Sequence, residues 1–459
     1  MRIAIRNARV LTLTPGVPGG AVGAPSACGV GAAGSRVNAG PLRGAMLGEL
    51  GVIARGDVVV ENGVVVSVAA SAVGGRDEEH RPARTQVGGT SRVGPAGEVI
   101  EIDAGGRVLM PGFVDAHTHA LWAGDRLDEW EMKRRGVAYL DILKAGGGIM
   151  STVRAVRAAS EESLAASLAA RLAAMLREGT TTVEVKSGYG LTTADELKML
   201  RAIGRHQGTV ASRHQGERQQ AGLPTVISTA LIGHAIDPDH LDFVERTIGE
   251  TLDAVHAAYP GTTIDAYCEQ GAWSLEQCSR LFERAKSLGH PFRVHTDQFN
   301  ELGMTRWAVE HGAVSVDHLE ASSRGTLELV AKSNTFGVML PCAGFHTDGR
   351  YGDGRFFVDA GGALVIATNL NPGSAPCGSM PMAIALAVRY LKLSPAEAIA
   401  ACTRNAAALL GLHDRGVIAP GARADLILLR YTDERMLAYE FGGNPVEVVI
   451  QGGMLKLSV

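Results

Sequence analysis

Pro111-Gly112-Phe113-Val114-Asp115-Ala116-His117-Thr118-His119 decides how the remainder of this 459-residue sequence reads. An apolar lead-in, Val108-Leu109-Met110, and a Pro-Gly step run into a β-like segment whose alternation puts His117 and His119 on one side. Two imidazoles projecting together can share one metal ion. Fourteen histidines in a chain of this length give about 0.4 His-x-His pairs by chance, so the pair alone decides little. Its place at the end of an apolar strand, with comparable strand ends at His234, His295 and His318, reads as a metal site.

From residue 111 onward, strands alternate with helices. Apolar or β-branched runs fall at 112–117, 180–185, 225–232, 262–268, 292–295, 313–317, 335–340 and 363–368. Helical patterns fill the gaps. In 160–178, Leu164, Leu168, Leu172, Met175 and Leu176 form one apolar stripe, with Ser160 as N-cap and Gly179 as the stop. Thr193-Ala194-Asp195-Glu196 and Ser274-Leu275-Glu276-Gln277 both fit a capping box. Eight strands alternating with helices predict an α/β fold, a (β/α)8 TIM-like barrel whose strand C-termini gather around one site.

The flanks differ from this pattern. Residues 2–13 and 57–69 read as strands, the second turning at Glu61-Asn62-Gly63. Order resumes at 98–102, and after two predicted helices, 378–392 and 395–410, strands return at 425–429, 446–450 and 454–457. A small β-sandwich domain built from both chain ends is therefore expected, with 1–110 and 412–459 as its two parts around a barrel at 111–411. Residues 14–50 and 72–96, rich in Gly, Ala, Pro and charge, read as mobile or solvated loops, and 205–222 as a polar insertion.

Composition narrows the function. Apolar residues make up 46% and charged residues 20%, and the formal net charge is −4, which favours a small-molecule substrate over nucleic acid or a membrane. Six cysteines, at 28, 268, 278, 342, 377 and 402, form no C-x-x-C pair, which argues against a disulfide framework or a thiolate zinc site. The N-terminus lacks an apolar signal core and no window matches a membrane span, so the expectation is a cytoplasmic protein.

Together these residues resemble the amidohydrolase superfamily. More narrowly, Val183-Glu184-Val185-Lys186-Ser187-Gly188-Tyr189-Gly190, Gly233-His234-Ala235, His295-Thr296-Asp297-Gln298, Asp317-His318-Leu319-Glu320 and Asn371-Pro372-Gly373-Ser374 are similar, in this order, to the imidazolonepropionases of histidine degradation. The resemblance implies hydrolysis of 4-imidazolone-5-propanoate to N-formimidoyl-L-glutamate, with one zinc or iron ion per subunit of a homodimer. It makes His117, His119 and His295 metal ligands, with residue 369 completing the set. Arg126 would pair with the propanoate carboxylate, a role its planar fork suits. Tyr189, His234 and Gln298 would contact the ring or its opened product, and Asn371, Gly373 and Ser374 the product's polar groups. His318, Gln298 and Asn369 are the candidate catalytic residues, His318 beside Asp317 either orienting water or polarising the ring carbonyl, or else reading as a satisfied barrel histidine. Taken alone, Arg126 in the run Asp125–Glu129 reads as a surface ion pair. Lys186, at a position where some amidohydrolases carry a metal-bridging carbamylated lysine, is expected to belong to the Lys-Ser-Gly-Tyr-Gly loop, which implies a single metal. Other enzymes of the superfamily, such as aromatic-base deaminases, and a catalytically silent imidazolone binder are the alternatives. A deaminase is favoured if Arg126 and Tyr189 lie far from the metal.

One departure stands out. Where the resembled family carries Asp before Leu-Asn-Pro-Gly, this chain has Asn369. A carboxamide offers only a neutral carbonyl oxygen and cannot serve as a base, so a weakened hydrolase is expected.

Overall fold

In the computed structural model, residues 1–15, 37–71, 99–137, 141, 147–207 and 222–458 are described. The N-terminal segment supplies β1 (Arg2–Leu11), β2 (Val52–Glu61), β3 (Val64–Ala70), β4 (Val99–Asp103) and β5 (Val108–Pro111). The chain then enters β6 (Phe113–Asp115), β7 (Thr180–Lys186), β8 (Thr225–Gly233), β9 (Thr263–Cys268), β10 (Phe292–Thr296), β11 (Ser315–His318), β12 (Phe336–Met339) and β13 (Leu364–Ile366). These eight pair in sequence order, all parallel, with helices in the connections. The C-terminal β14 (Leu426–Leu429), β15 (Val446–Gln451) and β16 (Met454–Ser458) return to the first sheet, where β14 pairs antiparallel with β5, Leu426 opposite Pro111. That sheet runs β16-β15-β14-β5-β1-β2-β3, with β4 also on β1, and Ile3, Val10, Val60, Leu426 and Ile450 share its core.

The Pro-Gly step is where the chain passes from one sheet to the other. Pro111 ends β5 and Phe113 begins β6. Between them the Gly112 N–H donates to Asp425 O at 2.9 Å, and a Cβ on Gly112 would lie 2.4 Å from Thr181 Cγ2. No side chain fits there, which accounts for the glycine.

The barrel ladder runs from β6 to β13 but does not pair those two strands. Polar groups bridge the seam. The Asp115 carboxylate accepts from Thr368 N (3.1 Å) and Thr368 Oγ1 (2.5 Å), and Asn369 N donates to His117 O at 3.0 Å. Burial pushes the Asp115 carboxyl up to about 7, against the opposing pull of these Thr368 donors. The seam thus fixes residue 369 beside the His117 segment.

The helix Glu161–Arg177 buries the expected stripe and is capped by Ser160, whose side chain accepts from Ser163 N. Ser274 and Gln277 form the reciprocal capping box of Leu275–Ser287. Three expectations need correction. Thr192, not Thr193, caps Thr193–Gly204, and Glu196 turns instead to the preceding loop, where three backbone amides offer it a better-satisfied place. The helix expected at 395–410 is two, Pro395–Ala401 and Arg404–Leu409, because Thr403 leaves helical geometry (φ −127°, ψ −86°) and bonds its hydroxyl to Ile399 O. Within the loop expected at 14–50, residues 37–50 are packed rather than mobile. Leu42, Leu47 and Leu50 are buried in the barrel-side core, and Asn405 clamps Leu42 through both N–H and C=O. Residues 16–36, the loop expected at 72–96, and 208–221 of the polar insertion lie outside the described residues.

Replacing Thr368 by Val keeps the shape but removes the hydroxyl donor from a buried carboxylate. A loss of about 1–3 kcal/mol in urea-unfolding free energy is expected. Unchanged stability would show that the Asp115–Thr368 contact does not hold the seam.

Candidate active site

The C-terminal ends of the barrel strands bring five imidazoles together. His117 and His119 follow β6, His234 follows β8, His295 lies in β10 and His318 ends β11. Ring centroids are 5.4 Å apart for His117 and His119, 4.5 Å for His117 and His295, and 5.6 Å for His295 and His318; His234 stacks on His119 at 5.0 Å. Candidate ligand atoms of His117, His295 and His318 lie within 4.8 Å of one another. Burial, reinforced by Lys186 and the neighbouring rings, holds His117 well below its usual pKa; His119 is lowered by burial and its imidazole neighbours. Burial lowers His295 too, partly offset by Asp265. Neutral rings keep a lone pair for a cation.

These residues fit a divalent metal. In a tetrahedral zinc shell with Zn–N bonds of about 2.0–2.1 Å, neighbouring nitrogens lie about 3.3 Å apart. Nε2 of His119 and Nε2 of His295 are 3.2 Å apart. His117 Nε2 and Asn369 Oδ1 are buried and lack a hydrogen-bond partner among the described residues, the mark of atoms placed for something other than protein.

Beneath the rings lies a layer of buried charge. Asp317 accepts from Arg293 Nη2 (2.6 Å) and meets His117 Nδ1 at 2.6 Å; Asp265 accepts from Lys186 Nζ (2.9 Å) and meets His295 Nδ1 at 3.1 Å. Glu184 accepts from Lys186 Nζ (2.8 Å) and from Thr118 N (3.2 Å). Burial pushes the Asp265 carboxyl up, but His295 and Lys186 more than offset this and hold it well below the usual range. Asp317 and Asp265 each fix a ring's tautomer and aim its other nitrogen at the site, while Glu184 shares the Lys186 ammonium. Lys186 is therefore not a loop residue. It closes β7, fully buried, and its ammonium is occupied by two carboxylates.

The expected substrate residues lie around this centre. Tyr189 is buried, with its ring 6.1 Å from that of His119 and 5.0 Å from that of His234, and burial pushes its phenol above the usual range, so it stays protonated. Glu196 shapes its loop, accepting from Gly188 N (3.0 Å), Gly190 N (2.7 Å) and Leu191 N (2.9 Å). The Gly188 carbonyl then lies 2.9 Å from His234 Nδ1. A carbonyl only accepts, so Nδ1 carries the proton and Nε2 faces outward as an acceptor. The Tyr267 hydroxyl donates to Gln298 Oε1 at 2.9 Å, which leaves the Gln298 amide N–H groups as donors.

Arg126 does form the ion pair suggested by its charged neighbours, with Glu129 (Nε to Oε2, 2.6 Å), but the pair is largely buried, the Arg126 side chain being 10% exposed. Its Nη1 lies 3.2 Å from where a Cβ on Gly373 would be. Arg126 is thus beside the loop that follows β13 and Tyr189 beside His119, so the condition favouring a deaminase is not met. In that loop the Asn371 side chain is turned inward. It accepts from Gly373 N and Ser374 N (both 2.8 Å) and donates to Asn369 O (2.7 Å), shaping the turn that presents Gly373 and Ser374.

Sequence reasoning gave no site role to Asp265, Arg293, Glu196 or Glu320, although Glu196 is read there as a capping residue and Glu320 lies in a quoted motif. The available signal was a charged residue inside an apolar strand, as in Thr263–Cys268 and Phe292–Thr296.

The amidohydrolase family profile matches residues 108–455. An imidazolonepropionase from Herpetosiphon aurantiacus is 43% identical over 426 residues, spanning 90% of this chain and 92% of its own length. One from Deinococcus radiodurans is 40% identical over 417 residues, spanning 91% and 96%. Among solved structures, a zinc-bound adenosine deaminase from Xanthomonas campestris superposes with a TM-score of 0.62 at 20% identity, covering 99% of this chain and 93% of that one. The zinc complex of atrazine chlorohydrolase TrzN from Arthrobacter aurescens gives 0.63 at 16%, covering 99% and 95%. Such identities show the shared fold.

Asp265→Asn removes the charge behind His295 and leaves Lys186 underpaired. Zinc affinity, read by competition with a chromophoric chelator, is expected to fall about 10- to 100-fold. An unchanged affinity would mean the carboxylate does not orient the ring.

Proposed function

The chain belongs to the imidazolonepropionase branch of the amidohydrolase family, and from that premise we propose that it hydrolyses the cyclic amide of 4-imidazolone-5-propanoate to N-formimidoyl-L-glutamate in histidine degradation. The observation that carries this reading is the convergence of His117, His119, His295 and His318 with Tyr189 and His234 at one end of the barrel. His117, His119 and His295 would hold one zinc or iron ion, with Asn369 standing where the fourth ligand is expected. When bound, the cation supplies Lewis acidity at the carbonyl and makes the attacking water more acidic.

The remaining work falls to side chains. Arg126, oriented by Glu129, holds the propanoate carboxylate at the edge of the loop after β13. Tyr189 donates to the substrate, while His234 Nε2 accepts from a ring N–H, which selects the orientation in which that donor faces it. Gln298 supplies amide donors, and Gly373 and Ser374 line the product side. Water oxygen adds to the ring carbonyl carbon, the adjacent ring C–N bond breaks, and a proton passes to the departing nitrogen, so the product gains a second carboxylate. His318 would polarise that carbonyl. Asn369 cannot take the water's proton, which makes proton removal the slow part of this chain's reaction.

The same reading takes 1–110 and 412–459 as one domain around the barrel at 111–411, and a homodimer in the cytoplasm. No helix among the described residues is long and apolar enough to cross a membrane.

Two outcomes test this function. Release of N-formimidoyl-L-glutamate should be slow in this chain and rise about 10²- to 10⁴-fold in kcat on Asn369→Asp. Absence of the product in both proteins would refute the substrate assignment. Exhaustive chelation should abolish turnover, and zinc or ferrous ion should restore it; full activity in metal-free protein would remove the cation from the mechanism.

A further inference from the structure

Three imidazoles in the site share a feature that His119 and His234 lack. Each has a carboxylate against its Nδ1: Asp317 behind His117 (2.6 Å), Asp265 behind His295 (3.1 Å) and Glu320 behind His318 (3.2 Å). A carboxylate on Nδ1 holds the proton there, leaves the Nε2 lone pair free and makes the ring a better donor to a metal. The candidate ligand atoms of the same three residues lie within 4.8 Å of one another, and all three side chains are buried. His119 Nδ1, by contrast, is buried without a partner among the described residues.

We propose that in this chain His318 takes the ligand place left weak by Asn369, so that the cation is held by imidazoles, with His117, His295 and His318 as its carboxylate-backed ligands. This rests on the metal-dependent reading above. Two further observations support it. The Asn369 Oδ1 is a neutral oxygen, a poorer partner for zinc than an imidazole or a carboxylate. His318 is also held at φ 93° and Leu319 at φ 71°, conformations that disfavour bulky residues. The bend turns the His318 ring to within 5.9 Å of the His117 ring and 5.6 Å of the His295 ring. Strain of this kind is retained where a side chain must be delivered to one place. With His318 engaged by the cation, the group that would polarise the substrate carbonyl is withdrawn, and restoring a carboxylate at 369 would release it.

The test is zinc affinity of the full-length chain by chelator competition, in five proteins: the chain itself, His318→Ala, Asn369→Ala, Asn369→Asp, and His318→Ala combined with Asn369→Asp. His318→Ala should weaken zinc on the order of 100-fold, at or beyond the upper end for losing an outer partner. Asn369→Ala should change affinity less than about 3-fold, a neutral amide oxygen being a weak zinc ligand. In the Asn369→Asp background, His318→Ala should cost less than about 10-fold, the lower bound for even an outer partner. X-ray absorption should count one imidazole fewer in His318→Ala. Equal metal-free melting temperatures establish that the variants fold; should His318→Ala not fold, Glu320→Gln replaces it, with an expected loss of about 10-fold. The ligand assignment is overturned if removing His318 or Glu320 leaves zinc affinity and imidazole count unchanged, or if Asn369→Ala causes the larger loss. A chain that binds no zinc or ferrous ion overturns the metal reading as well. Tight zinc binding that depends on His318, without hydrolysis of imidazolone propanoate even after Asn369→Asp, refutes the substrate assignment and leaves the ligand set standing.

Discussion

Everything at the mouth of the barrel depends on a layer of opposite charges buried one residue deeper. Lys186 and Arg293 sit among Glu184, Asp265 and Asp317, all out of water. An isolated charge in that position would be prohibitively costly, and each ion is tolerated because its partners are within hydrogen-bond reach. The arrangement also aims the imidazoles. Because Asp265 is already committed to Lys186 and Asp317 to Arg293, the two carboxylates cannot drift, and the rings of His295 and His117 inherit their fixed directions.

A second, looser tier is built on this one. Tyr189, His234, Arg126 and the turn after β13 come from connections after the strands, each held by its own local device: Glu196 on the amides around Tyr189, the Gly188 carbonyl on His234, Glu129 on Arg126, Asn371 on its own turn. The two tiers meet at the seam, where Asp115 binds Thr368 and His117 O receives Asn369 N. That contact explains why residue 369 belongs to the metal tier although it opens a substrate loop.

The barrel was legible because its strands are continuous apolar runs separated by amphipathic helices, a period change that needs no tertiary information. His117, His119, His295 and His318 could be read because each ends such a run. The buried charge layer was not, since Asp265 and Arg293 acquire meaning only from partners 30 and 24 residues away. Glu196 was read as a helix-capping residue because its spacing from Thr193 is right for one; only the folded loop shows three amides competing successfully for it. The segment 37–50 looked featureless because its three leucines pack against distant helices rather than in any period of their own. Lys186 was misplaced for a related reason. Its motif neighbours are loop residues, but strand alternation carries its own side chain inward.

Asn369 is held at φ 58°, a left-handed conformation that Asn and Asp tolerate better than most other side chains. Exchange between those two leaves the backbone of the seam as it is and alters a single terminal atom. Asn and Asp forms of this site therefore stand one codon step apart on one backbone geometry, so the chemistry at this position can change without rebuilding the turn that carries it.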